Sequence, residues 1–227
     1  MKIRGVTLTI QDLAGSVQFY RDILGLRVEE SMGRAVVHAG SSQLTLIRGD
    51  QFDGAHHVAF GIVPAEFELA HTWLCERVSL IVVDGSQVIV GPTGWNSRSL
   101  YFLGPEDIIL EVIARDADVD AIPGNGESPR ILSISEIGIG VIDVSATVQR
   151  LSTVLALPPF CAQGEKFAPV GNHDGLLIVV DQERIWFPTQ SLRPARGPLD
   201  VHIETPIASA QMDVTPTISI STTHNVQ

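Results

Sequence analysis

GVTLTIQDLAGSVQFYRDILGL (residues 5–26) returns as EIGIGVIDVSATVQRLSTVLAL (residues 136–157), at an offset of 131 and without a gap. Asp12 meets Asp143, Val17 meets Val148, Gln18 meets Gln149 and Leu24 meets Leu155. The physical pattern repeats with the letters. Val6, Leu8 and Ile10 alternate with Gly5, Thr7 and Thr9; Ile137, Ile139 and Val141 alternate with Glu136, Gly138 and Gly140. A period of two predicts a strand with one apolar face and one face of small or polar residues. Asp12 and Asp143 then stand where a helix N-cap is expected. Behind Asp12, Leu13, Val17, Tyr20 and Leu24 fall on one helical face, and Gly25 supplies a stop.

A third copy starts at HHVAFGI (residues 56–62). With His57 in the place of Gly5, Val58, Phe60 and Ile62 take the apolar phase, and Ala59 and Gly61 the small one. Pro64 suits the first turn of a helix, and Phe67, Ala70 and Leu74 carry its stripe. His57 falls on the polar face; His56 is out of phase and reads as a strand-edge residue. Short strand patterns broken by turn residues follow each helix: 26–30, 34–39 and 43–48; then 80–83, 87–90, 98–103 and 108–114; then 166–170, 176–180 and 184–187. A fourth copy begins at LDVHIET (residues 199–205) and runs into a Ser- and Thr-rich end without a helical stripe, so it reads as truncated.

The expected fold is α+β. Tandem βαβββ units form curved, mostly antiparallel sheets around a cup-shaped site. Residues 1–115 make a first module of two units, 116–130 (Pro-, Gly- and Asp-rich) a solvated linker, 131–207 a second, incomplete module, and 208–227 a tail. The unfinished edge near residues 199–205 needs a cover, either a homodimer partner or the tail beginning at Pro206.

Composition narrows the partners. The 227 residues carry a net charge of −11, which gives no electrostatic footprint for nucleic acid or an anionic membrane surface. No apolar run approaches the roughly 20 residues that span a bilayer, and the first ten residues go straight into a strand pattern. Cys75 and Cys161 are too few for a disulfide framework. A reducing cytoplasm with both thiols buried is the expectation. No nucleotide fingerprint or serine–histidine–aspartate order is present.

Repeated βαβββ units resemble the vicinal oxygen chelate superfamily, which includes glyoxalase I, extradiol dioxygenases and the fosfomycin and bleomycin resistance proteins. The resemblance spans about residues 3–205. It is carried by the two stretches quoted first, by HHVAFGI, and by WNSRSLYFLGPEDIILEVIAR (residues 95–115). The last of these resembles the family's YFxDPxGNxxEL pattern, with Tyr101 and Glu111 ten residues apart. The resemblance implies a small-molecule enzyme in which a divalent metal (iron, manganese, zinc or nickel) chelates two vicinal oxygens of its substrate. It implies that paired units wrap one cup, so the first module offers Gly5, Thr45, His57 and Glu111 as ligand positions. His57 and Glu111 can bind a metal. Gly5 cannot; extradiol enzymes need histidine there, and glyoxalase I an acid or amide. A third ligand would come from His38, water or substrate.

Tyr101 matches the tyrosine that meets substrate in that family, and Trp95, Asn96 and His38 are the further substrate-binding candidates. Glu136, equivalent to Gly5, and His202 are expected in the second module's cup. Each has an ordinary alternative. His57 can be a plain polar-face residue, Glu111 can pair with Arg98, and Tyr101 can be a cross-strand aromatic. A metal-free member binding an aromatic or polyketide-like ligand, by sequestration or by acid–base chemistry at His57 and Glu111, is the competing function.

Overall fold

The computed structural model describes residues 1–161, 164–207 and 209–224. β1 (Lys2–Ile10) leads into α1 (Leu13–Gln18), which continues as a π-helical turn over Phe19–Ile23. β2 (Arg27–Ser31), β3 (Arg34–Ala39) and β4 (Ser42–Arg48) follow. Next come β5 (His57–Ile62), α2 (Phe67–Cys75), β6 (Ile89–Val90), β7 (Ser97–Leu103) and β8 (Ile109–Arg115). The rest is β9 (Ile131–Val141), α3 (Val144–Leu155), β10 (Phe167–Asn172), β11 (Gly175–Asp181), β12 (Leu199–Thr205), β13 (Ala210–Thr215) and β14 (Ile218–His224).

The caps are where the repeat puts them. Asp12 accepts the Gly15 N–H at 3.0 Å, and Asp143 accepts the Ala146 N–H at 2.8 Å, each relieving an orphan donor of the first helical turn. Gly25 closes the first helical segment at φ +63°, a conformation that disfavours a side chain.

Each strand that precedes a helix pairs in parallel with the last strand behind it: β1 with β4, β5 with β8, and β9 with β11. β12 and β14 are also parallel, with β13 in place of a helix. These leading strands then join antiparallel, β1 with β12 and β5 with β9. The result is a curved α+β sheet in which β1 and β9 pair at Ile3 and Ile134, with Ser41 and Ser42 also bonded to β9. Val58, Phe60 and Ile62 of β5 pack into the helix-covered core with Ile137 and Ile139 of β9. Phe60 is 1 % exposed, and burying such a ring contributes on the order of 1.5–3 kcal/mol.

Several expectations change. β5 pairs with β9 across residues 116–130, so its sheet partner lies beyond the linker and Gly5 is not beside it. Residues 184–187 form no strand. Trp186 N–H bonds the Leu192 carbonyl instead, in a loop where Pro188 has no N–H to give a ladder. Residues 80–83 reach the sheet only through the single Leu80–Phe102 bridge. Residues 210–224 form a hairpin. Met212, Val214, Ile218 and Ile220 are buried at alternate positions, and β14 covers the β12 edge. Cys75 is exposed at the last position of α2, and Cys161 is half-buried in the loop between α3 and β10. No helix among the described residues is long and apolar enough to cross a membrane.

Candidate functional site

The β5–β9 half of the sheet curls around a cavity of about 510 Å³, a size suited to a small molecule. Two carboxylates in its lining, Glu111 and Glu136, are positioned by their pairing with Ala59. That residue pairs with Glu111 on β8 on one side and with Glu136 on β9 on the other, so both carboxylates flank a methyl group. His57, two residues earlier on the same strand, points to the same face, and its Nε2 lies 2.9 Å from Glu111 Oε2. Ligand atoms of His57, Glu111 and Glu136 all lie within 4.8 Å of one another, the one such group of three among the described residues.

Glu136 is aimed by a β-bulge. Ala59 pairs with Glu136 and Phe60 with Ile134, so Ser135 is the extra residue. Both Ser135 and Glu136 thereby meet Arg115, the last residue of β8. Its Nε donates to Ser135 Oγ at 3.2 Å, and its Nη2 donates to Glu136 Oε1. Arg115 is 1 % exposed, its guanidinium lies 5.6 Å from the Trp95 ring, and its Nη1 has no partner. Burial and the neighbouring Glu111 carboxylate push Glu136 up to about 7, with Arg115 and His57 pulling it back.

Aromatic rings hold His57 in place. Tyr101 stacks on it with centroids 6.4 Å apart, and Trp186 approaches to 5.4 Å while its Nε1 donates to the Ala55 carbonyl. Gly138 makes this packing possible: a Cβ there would stand 2.6 Å from the Trp186 ring and 3.0 Å from His57 Cβ. Burial raises the Tyr101 hydroxyl above its ordinary value, and the Glu111 and Glu136 charges add to that. It stays protonated, with side-chain hydrogen bonds to Glu111 and Ser99.

The family model described as Glyoxalase/Bleomycin resistance protein/Dioxygenase superfamily matches residues 2–153. The chain belongs to that superfamily. Its fold is similar to a protein of Bacillus subtilis subsp. subtilis str. 168 provisionally described as a dioxygenase. That match has a TM-score of 0.65 and 12% identity, and covers 98% of this chain and 85% of that one. It is also similar to glyoxalase I from Zea mays, at a TM-score of 0.56 and 15% identity, over 88% of this chain and 74% of that one. No curated protein matches the chain.

Within this superfamily fold the sequence candidates sort clearly. His57, Glu111, Tyr101 and Trp95 line the same cavity. Asn96 does not: it is exposed at φ 45°, and its carbonyl accepts the Asp116 N–H. His38 stands on β3 beside Glu29, at 3.2 Å, outside the lining. Arg98 pairs with Glu68, which leaves Glu111 to His57. Gly5 and Thr45 belong to the other half of the sheet, where Gly5 pairs with His202. His202 is bonded by Ser221 and Thr223 hydroxyls and is separate from Glu136. The residue beside His57 is therefore Glu136, the equivalent of Gly5 in the repeat. Ile178, which pairs with Gly138 as Glu111 does with Ala59, supplies an apolar wall at the fourth position.

His56 is buried rather than at an edge. It packs edge-on to Phe52, and desolvation pulls it down to about 4. Sequence reading also passed over Arg115 and Trp186. Arg115 was the cue within reach, because a cation two positions beyond Ile113 shares the phase of Glu111.

Proposed function

We propose that the cavity binds a divalent metal through His57 Nε2, Glu111 and Glu136. The protein would then act on a small molecule in the manner of the ring-cleaving dioxygenase and glyoxalase branch. The observation that carries this reading is the placement of two carboxylates on either side of Ala59 with a histidine on the same face. Ligand atoms about 2.0–2.2 Å from a metal stand about 3–3.5 Å from each other, so small rotamer changes suffice here. One nitrogen and two carboxylate oxygens suit iron, manganese, zinc or nickel. A bound ion supplies Lewis-acid polarisation of two vicinal substrate oxygens.

The chain's own residues do the rest. Tyr101 donates a hydrogen bond toward a substrate oxygen. Trp186 and Tyr101 fix the His57 ring. The apolar wall at Ile178 and the aromatic rim of Trp95, Phe167 and Phe187 exclude water and favour an apolar substrate body.

A second reading rests on a specific feature: His57 with Glu111, and Arg115 with Glu136, satisfy each other as two pairs. A metal-free cup could bind an aromatic or polyketide-like ligand, with His57–Glu111 as the acid–base pair. Elemental analysis of purified protein, before and after chelation and reloading, separates the two. The metal reading expects about one ion per chain. That ion should be absent in His57→Ala, Glu111→Ala and Glu136→Ala. If wild type and His57→Ala hold equal metal or none, it fails. Ligand binding that still depends on His57 and Tyr101 would then support the metal-free reading.

A further inference from the structure

We infer that Arg115 sets the charge of this centre, so that the metal-loaded cavity selects a monoanionic ligand presenting two neighbouring oxygens over a neutral one of the same shape. The inference rests on the metal reading above and adds the substrate class. Glu111 and Glu136 together cancel a divalent ion, and His57 binds as a neutral imidazole. Arg115 then leaves one positive charge in excess, buried at 1 % exposure. Two of its five N–H donors are unspent, since Nη1 has no partner while Nε and Nη2 are engaged.

The surroundings do not supply the missing counter-charge. Trp95 covers one side of the guanidinium. The next carboxylate that feels it, Asp118, is half exposed and screened by solvent. A second cation, Arg184, lines the same cavity but is half-buried and screened by solvent, as Asp118 is, so the buried excess is the one charge of Arg115. A buried unbalanced charge is costly, and a ligand that brings one negative charge removes that cost. The ligand class is therefore an α-hydroxy acid, a catecholate or an enolate with an apolar or aromatic body. Arg115 is a positioning and specificity residue acting through Glu136 and through its field.

The test uses the full chain loaded with Co²⁺, whose visible absorption reports the first coordination shell. Mandelate (a monoanion) and mandelamide (neutral, same skeleton) are titrated against wild type, R115Q and R115K. In wild type mandelate binds more tightly. The ratio of the two dissociation constants falls about tenfold or more in R115Q, as expected for one unit charge lost nearby at an intermediate dielectric. R115K keeps the charge and keeps most of the ratio, which a purely structural role for Arg115 does not predict. R115M takes the place of R115Q if the latter does not fold.

An unchanged ratio in the neutral variant overturns the inference while leaving the metal reading standing. Loss of the ratio in R115K as much as in R115Q also overturns it, as does failure of mandelate to bind the Co²⁺-loaded wild type. Failure of Co²⁺ to bind wild type at all overturns both.

Discussion

Replacing Glu136 with leucine should destabilise the protein heavily, and the cause is Arg115 rather than the lost carboxylate. The two side chains are 4% and 1% exposed and bonded to each other, with Ser135 Oγ the only other hydrogen-bond partner of the guanidinium among the described residues. Glu136→Leu leaves a full positive charge buried beside Trp95, and breaking a buried pair in this way costs about 3–5 kcal/mol. In a protein of this size that corresponds to a melting temperature roughly 6–20 °C lower. Removing both charges, as Arg115→Leu with Glu136→Leu, should recover most of the loss, because two apolar groups of similar volume need no counter-ion. Urea denaturation of the four proteins, without added metal, closes the cycle. The coupling should be at least the recovered loss, about 3 kcal/mol or more. Metal binding, measured separately, should be lost in both Glu136→Leu proteins whatever their stability. A single mutant within about 1 kcal/mol of wild type, or a double mutant no better than the single, would refute the claim that Arg115 is desolvated and held by Glu136.

Ala59→Val puts extra methyl groups between Glu111 and Glu136 without touching a ligand atom, and should weaken metal binding at least tenfold while costing about 1–3 kcal/mol; calorimetry reads the first and melting the second. Gly138→Ala should push Trp186 off His57, seen as a shifted tryptophan emission together with weaker metal binding; unchanged emission would count against the packing described. His56 gives a pH signature. Its folded value is depressed from the ordinary 6.5 to about 4, so the folded state holds it neutral while the unfolded chain takes up a proton. Its share of stability is complete above 6.5 and is lost as pH falls toward 4, by about 3 kcal/mol in all. His56→Leu should flatten denaturation midpoints over that window, and an equally steep decline would reject the assignment.

The quoted repeat made much of the fold legible. Strand phase, the Asp12 and Asp143 caps and the helical stripes are properties of residues a few positions apart, and local periodicity reports them directly. The same phase placed His57 on the polar face; Glu111 and Tyr101 came from the family resemblance, and the structure sets Tyr101 opposite Glu111 in the register of β7 and β8. The closing hairpin was also written in its sequence, as alternation of Met212, Val214, Ile218 and Ile220 with polar residues; attention to helical stripes alone hid it.

By itself, then, the sequence determined the secondary elements and which side chains each strand presents to a cup. It could not say which strand borders which. Copies that share one pattern are interchangeable as edge partners, and a linker over residues 116–130 permits β5 to meet β1 or β9 at nearly equal loop-closure entropy. Only tertiary packing chose β9. That choice brought Glu136 to Ala59, sent Gly5 to His202, and let the bulge at Ser135 turn Glu136 onto Arg115. The third carboxylate and the charge behind it are products of sheet order, which follows from how whole apolar faces pack and from no residue's local preference.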